Sequence, residues 1–170
     1  MLRGTASVSI HTHNLPYAPG TPLRLFKAEH GGDFFDITER TSSGSYRVRG
    51  SGGEFSEFMI VADVRPTATK VLDKFSKLSG LLSTHQSSID STLHGALTTL
   101  LASAQADYNT NGFAAAIEAL AEFDATIKKA TGGEIPDAWR PRGDLTNVAG
   151  QLRAVSGTLR YSLSLLANNL

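Results

Sequence analysis

The stretch Phe58-Met59-Ile60-Val61-Ala62-Asp63-Val64-Arg65-Pro66-Thr67-Ala68-Thr69-Lys70-Val71-Leu72 decides the fold. Before Arg65 the apolar residues fall in short alternating or continuous runs, the period-two signature of strands. After Pro66 the pattern turns helical: Ala68, Val71, Leu72, Phe75, Leu78 and Leu82 follow i, i+3, i+4, i+7 spacing. Pro66 stops the strand pattern and Thr67 is placed as an N-cap. The chain therefore divides into a β unit over residues 1–65 and a helical unit over residues 66–170.

Toward the N-terminus, Ser7-Val8-Ser9-Ile10, Leu23-Arg24-Leu25-Phe26-Lys27 and Ser45-Tyr46-Arg47-Val48-Arg49 alternate between polar and apolar. The last predicts Tyr46 and Val48 on one face and Arg47 and Arg49 on the other. Turn clusters separate these runs at Pro19-Gly20, Gly31-Gly32, Ser42-Ser43-Gly44 and Gly50-Ser51-Gly52-Gly53. About five short antiparallel strands are expected, with the weakly charged run 58–62 placed centrally. Toward the C-terminus, three more helices are predicted. One carries Ile89, Leu93, Leu97, Leu101 and Tyr108, entered through Ser87-Ser88 and closed by Gly112 in a left-handed conformation. Another carries Phe113, Ile117, Leu120, Phe123 and Ile127. The last opens at Asp144 and carries Leu145, Val148, Leu152, Leu159 and Leu163. Four helices with short links imply an antiparallel bundle. Gly95, Gly150 and Gly157 within helices imply close helix–helix approach. The fold class is α+β, a small antiparallel sheet or sandwich unit followed by a bundle of about four helices.

Composition narrows the function. Among 170 residues, 16 Lys and Arg balance 16 Asp and Glu, and 41% are hydrophobic. Each unit is neutral by itself, with 7 basic and 7 acidic residues in 1–65 and 9 of each in 66–170. That balance gives no electrostatic drive toward nucleic acid. With no cysteine there is no thiolate zinc site and no thiol nucleophile. Serine and threonine carry the polarity, 17 and 16 residues respectively. No run reaches the ~18 apolar residues of a membrane span, and the first residues lack the apolar region of a signal peptide. The chain is read as cytoplasmic or as the mature part of a longer precursor.

Chemistry-bearing motifs are few. His11-Thr12-His13 sets two imidazoles on one face of a strand, with His30 or Glu29 as a third ligand to a metal. The competing reading is two solvent-facing residues at a strand end. Asp33, Asp36 and Glu39 resemble an acidic dyad but at this spacing decorate a strand and its turn. Lys70, Lys74 and Lys77 read as a solvated helix face. Trp139, flanked by Arg140, Pro141 and Arg142, suits a contact with a partner or the capping of the bundle. There is no Gly-x-Ser-x-Gly elbow and no phosphate loop, so no enzyme is predicted and no cofactor is called for.

Parts of the chain resemble two known kinds of module. Ser103-Ala104-Gln105-Ala106-Asp107-Tyr108-Asn109-Thr110-Asn111-Gly112-Phe113-Ala114-Ala115-Ala116-Ile117-Glu118-Ala119-Leu120-Ala121-Glu122-Phe123 resembles the FIMAH domain, a helical module of extracellular bacterial proteins. The departures are Asp124, where an apolar residue belongs, and a longer loop around Trp139. Thr21-Pro22-Leu23-Arg24-Leu25-Phe26, Phe35-Asp36-Ile37-Thr38 and Phe55-Ser56-Glu57-Phe58-Met59-Ile60-Val61 resemble the last part of β-sandwich modules of secreted bacterial proteins. The resemblance implies an extracellular or cell-surface location and a structural or interaction role, through a protein partner or self-association at β edges into a homo-oligomer. The alternatives are a cytoplasmic adaptor binding a partner helix and a metal-dependent enzyme using His11 and His13.

Overall fold

The computed structural model describes residues 1–28, 32–43 and 45–170. It is α+β, with the change from strand to helix falling between Ala62 and Thr67. Among the described residues the strands before that change are β1 (Leu2–Arg3), β2 (Ala6–Thr12), β3 (Leu23–Ala28), β4 (Phe35–Asp36), β5 (Thr38–Ser42), β6 (Tyr46–Gly52) and β7 (Glu57–Ala62). The helices are α1 (Thr67–Thr84), α2 (Ser91–Asn109), α3 (Phe113–Ala130) and α4 (Val148–Ala167), with β8 (Ala138–Trp139) in the α3–α4 connection. None of these helices is long and apolar enough to cross a membrane.

Among the described residues three antiparallel sheets form: β2-β6-β5, β4-β3-β7, and a small one, β1-β8, joining the N-terminal strand to the α3–α4 connection. The first two meet at Ile37. There the chain leaves the β3 ladder and enters the β6 ladder, so β4 and β5 are two short strands in different sheets. Leu25 holds the corner: its carbonyl accepts from Ile37 N at 2.9 Å, and its N–H donates to Thr38 Oγ1 at 2.8 Å. A side-chain hydroxyl thus supplies the acceptor that the departing backbone no longer offers. Inside the curl, Leu25, Ile37, Tyr46 and Val48 form the core, with Val8, Ile10, Phe58 and Ile60 packed around them. Tyr46 and Val48 are buried while Arg47 and Arg49 are exposed, as their alternation predicts.

The 58–62 run is not central. β7 pairs with β3 alone among the described residues, so it is an edge. Periodicity reports which faces are buried and is blind to how many neighbours a strand has.

In the bundle, α4 lies against both α1 and α3, and α2 packs on α3. Their shared core includes Phe75, Leu97, Leu120, Phe123, Leu152 and Leu159. Helix ends differ from the sequence reading in detail. Pro66 stands at the N-cap position of α1 without a side-chain cap. Asp90 caps α2 by accepting from Thr92 N and Leu93 N, after a 3-10 turn over Gln86–Ser88. Beyond α2, Asn111 (φ 60°) is the left-handed residue and Gly112 (φ −78°) is not.

The last helix starts at Val148, capped by Asn147 rather than opening at Asp144. Asn147 is fully buried and does two jobs. Its Oδ1 accepts from Gly150 N at 2.8 Å, and its Nδ2 donates to Gly4 O and to Gly53 O, the latter at 2.9 Å. One amide therefore caps α4 and fastens two segments of the β unit to it.

The same face of α4 carries Gly150, Ala154, Gly157 and Tyr161, an i, i+4, i+7, i+11 stripe of mostly small residues. A Cβ on Gly150 would lie 2.7 Å from Gly53 Cα, and one on Gly157 would lie 2.8 Å from Glu39 Oε1. Tyr161 OH and Thr41 Oγ1 share a hydrogen bond at 2.9 Å. The close approach read from these glycines is thus helix to sheet. At Gly95 nothing lies within 4 Å of a built Cβ, so close packing does not explain that residue.

Candidate functional site

The outer face of β4-β3-β7 carries Arg24 and Phe26 from β3 and Asp36 from β4, with Phe26 paired opposite Asp36 and Met59. Against this face lie Lys70 and Lys74, one turn apart on α1, and Thr158, Tyr161 and Ser162 of α4. Arg24, Asp36, Lys70 and Lys74 are each at most 4% exposed. The solvated lysine face predicted for α1 is therefore corrected for two of its three residues, since the sheet and α4 cover that side; Lys77 alone is exposed. Asp36, expected on the surface, is corrected likewise.

Lys74 Nζ donates to Asp36 Oδ2 at 2.6 Å, to Ser162 Oγ at 2.8 Å and to Thr158 O at 3.4 Å. All three ammonium protons have acceptors. The other Asp36 oxygen accepts from Thr38 N at 2.8 Å. Burial lowers the pKa of Lys74 and Asp36 opposes that shift. Arg24 donates to the carbonyls of Thr21 and Leu23 and lies 5.7 Å from the centre of the Tyr161 ring. Lys74 and Asp36 thus serve as a lock between sheet and bundle.

Two cavities flank the lock. One, of ≈ 350 Å³, lies over the outer sheet face and is lined by Phe26, Phe34, Asp36, Arg65, Lys70 and Lys77 among others. The second, of ≈ 320 Å³, opens between β6, α1 and α4. There Lys27 Nζ meets Glu54 Oε1 at 3.0 Å and Gln151 Nε2 donates to Glu54 Oε2 at 3.2 Å. Its cations and anions balance: Lys27 and Lys77 against Asp33 and Glu54.

Elsewhere, burial raises the pKa of Glu39 and of Asp124, with Arg153 and Arg160 opposing the shift in both cases. Asp63 behaves in the opposite sense. Hydrogen bonds from Arg65 hold its pKa below the ordinary 3.8. A depressed folded-state pKa gives stability that is present above the unfolded value and lost as pH falls through the folded one. Asp63→Asn should accordingly flatten the acid side of the stability–pH curve below pH 3.8, measured by urea unfolding at a series of pH values.

The residues singled out from sequence lie apart from the lock. His11 and His13 come together, ring centres 4.6 Å apart, both exposed. His13 Nδ1 shares a hydrogen bond with Ser45 Oγ at 2.9 Å, and His11 lies opposite Arg47 on β6. Loss of hydration, then Arg47 and His13, lower the His11 pKa. The third ligand, His30 or Glu29, lies outside the described residues. Among the described residues, no group of three or more His, Cys, Asp or Glu is placed to hold a metal.

Trp139 is half-buried in β8, paired with Leu2 and 5.8 Å from the Phe55 ring. It closes the junction between the N-terminal strand and the α3–α4 connection rather than the top of the bundle. Arg140 and Arg142 are exposed, and Arg140 pairs with Asp144 at 2.7 Å. The lock itself left no sequence signal, because Lys70 and Lys74 flank the apolar stripe of α1 on the side where solvated lysines ordinarily sit.

No curated protein matches the chain. A family model described as a family of unknown function, DUF6689, matches residues 1–167. With nearly its whole length covered, the chain belongs to the DUF6689 family.

Proposed function

We propose that the protein is a non-catalytic assembly module of an exported or cell-surface protein, joining a second copy of itself through the edge of β7. The observation that carries this reading is the character of that edge. β7 has β3 as its one strand partner among the described residues. From Phe55 to Ala62 Glu57 is the one charge, and Phe55, Met59 and Val64 are 65%, 42% and 82% exposed. Edge strands are ordinarily guarded by lysine, proline or bulges, and an apolar edge is a template for strand addition.

Charge selects the register. In a two-fold antiparallel pair centred on Met59, Phe58 faces Ile60 and Glu57 faces Val61, with no like charges opposed. Recentred on Ile60, Glu57 would face Asp63 in both halves, which is unfavourable. Export is supported by the FIMAH-like and sandwich-like stretches and by the cysteine-free, Ser/Thr-rich composition.

The natural chain has no cysteine, so an introduced one reports unambiguously. Met59→Cys should give a disulfide-linked dimer under mild oxidation, since opposed residues across such a pair lie within disulfide reach. Leu72→Cys, also exposed but on α1, should stay monomeric. Equal cross-linking at both positions, or none at Met59→Cys, would sink the proposal.

A further inference from the structure

We infer that the cavity over the outer sheet face binds a small organic anion, a carboxylate or phosphate monoester carried on an aromatic or apolar body. Three observations on its walls converge.

The first is charge. Arg65 is engaged by Asp63 and Asp73 and Lys74 by Asp36. Lys70 and Lys77 line the same space with no carboxylate partner among the described residues. Against the three carboxylates of Asp36, Asp63 and Asp73, the four cations Arg65, Lys70, Lys74 and Lys77 leave a local excess of one positive charge at this cavity.

The second is Lys70 itself. It is 4% exposed, yet its Nζ makes one hydrogen bond, to Asp63 O at 3.2 Å. An ammonium has three protons, and a buried one left short of acceptors is costly. An anion in the cavity would supply further acceptors and a countercharge. Burial, with the nearby Arg24, lowers the Lys70 pKa, and Asp63 and Asp36 oppose that shift.

The third is the aromatic lining. Phe26, Phe34 and Phe35 line the same cavity, with Phe34 38% exposed and Lys77 Nζ 5.7 Å from the centre of the Phe35 ring. The ≈ 350 Å³ volume falls in the range of small-ligand sites. Cations and aromatic rings lining one cavity suit a ligand with an anionic head and a flat or apolar body. The second cavity, whose charges balance, lacks this preference.

The test is calorimetric titration of the full chain at low ionic strength with phenyl phosphate, inorganic phosphate and phenol. Phenyl phosphate should bind saturably at one site, inorganic phosphate more weakly, and phenol not at all. Added salt should weaken binding. Lys70→Met, which keeps the aliphatic stem, should lower affinity by about tenfold or more, as expected for loss of a charge-assisted hydrogen bond. Lys77→Gln, at an exposed position, should weaken it several-fold with an unchanged melting temperature; it decides the matter if Lys70→Met fails to fold. No saturable binding of phenyl phosphate, binding of phenol as tight as of phenyl phosphate, or affinity unchanged in Lys77→Gln would overturn the inference. These readouts are independent of oligomeric state, so they neither rest on nor test strand pairing at β7.

Discussion

Lys74→Ala is expected to destabilise the protein by about 3–5 kcal/mol, the range for removing one partner of a buried ion pair. The truncation leaves the Asp36 carboxylate 3% exposed, with the Thr38 N–H as the acceptor's remaining donor partner. It also strips Ser162 Oγ and Thr158 O of the donor that ties α4 to α1 and β4. Against a total stability of about 5–15 kcal/mol for an ordinary domain, such a loss is a large fraction. The pair as a whole is a different matter. Replacing both residues, as Lys74→Met with Asp36→Leu, removes the desolvation penalty along with the attraction and should recover most of the loss. Urea unfolding of the two single variants and the double variant gives the cycle. A Lys74→Ala variant within about 0.5 kcal/mol of the parent, the scatter of ordinary surface changes, would show that the lysine is not locked as described.

Gly150→Ala should also destabilise, by about 1–3 kcal/mol, the usual penalty for forcing atoms into a packed interior. Helix propensity alone predicts the reverse, since alanine in place of glycine favours a helix by about 1 kcal/mol. Geometry decides the sign. A Cβ at this position would sit 2.7 Å from Gly4 O and from Gly53 Cα, and 2.5 Å from Asn147 Nδ2. Two of those are backbone atoms. The third belongs to an amide held by Gly4, Gly53 and Gly150 together, so no rotamer change opens space. Gly95→Ala in α2 is the matched control. With nothing within 4 Å of its Cβ, it should gain about 0.5–1 kcal/mol from propensity. Thermal or urea unfolding of the two variants should move in opposite directions. Movement in the same direction would contradict the helix-to-sheet approach at Gly150.

How far the molecule was legible in its sequence depended on whether the deciding contact was local. The change of period at Pro66, the four helical stripes and the alternation of Tyr46 and Val48 are local patterns, and each corresponds to an element of the structure. What no local pattern contains is the identity of a neighbour. The run 58–62 is apolar because Phe58 and Ile60 fill the curl, and that says nothing of β7 lacking a second partner. Lys70 and Lys74 have the spacing of a solvated face, and only Asp36, 38 residues away from Lys74, makes the second of them a buried cation. The pairing of Leu2 with Trp139 joins the N-terminal strand to the α3–α4 connection and is invisible for the same reason. His11 and His13 lie with ring centres 4.6 Å apart, although β2 ends at Thr12 and His13 stands just beyond it. The spacing of Gly150 and Gly157 signalled close packing, though it could not say that the neighbour was a sheet.

Assembly through β7 is the central functional claim, and sedimentation velocity of the unmodified chain across the micromolar range tests it most directly. The account predicts a concentration-dependent shift from monomer to dimer that Met59→Lys abolishes, because a charge on the edge opposes strand pairing. A strict monomer at every concentration, or a dimer indifferent to Met59→Lys, would contradict it.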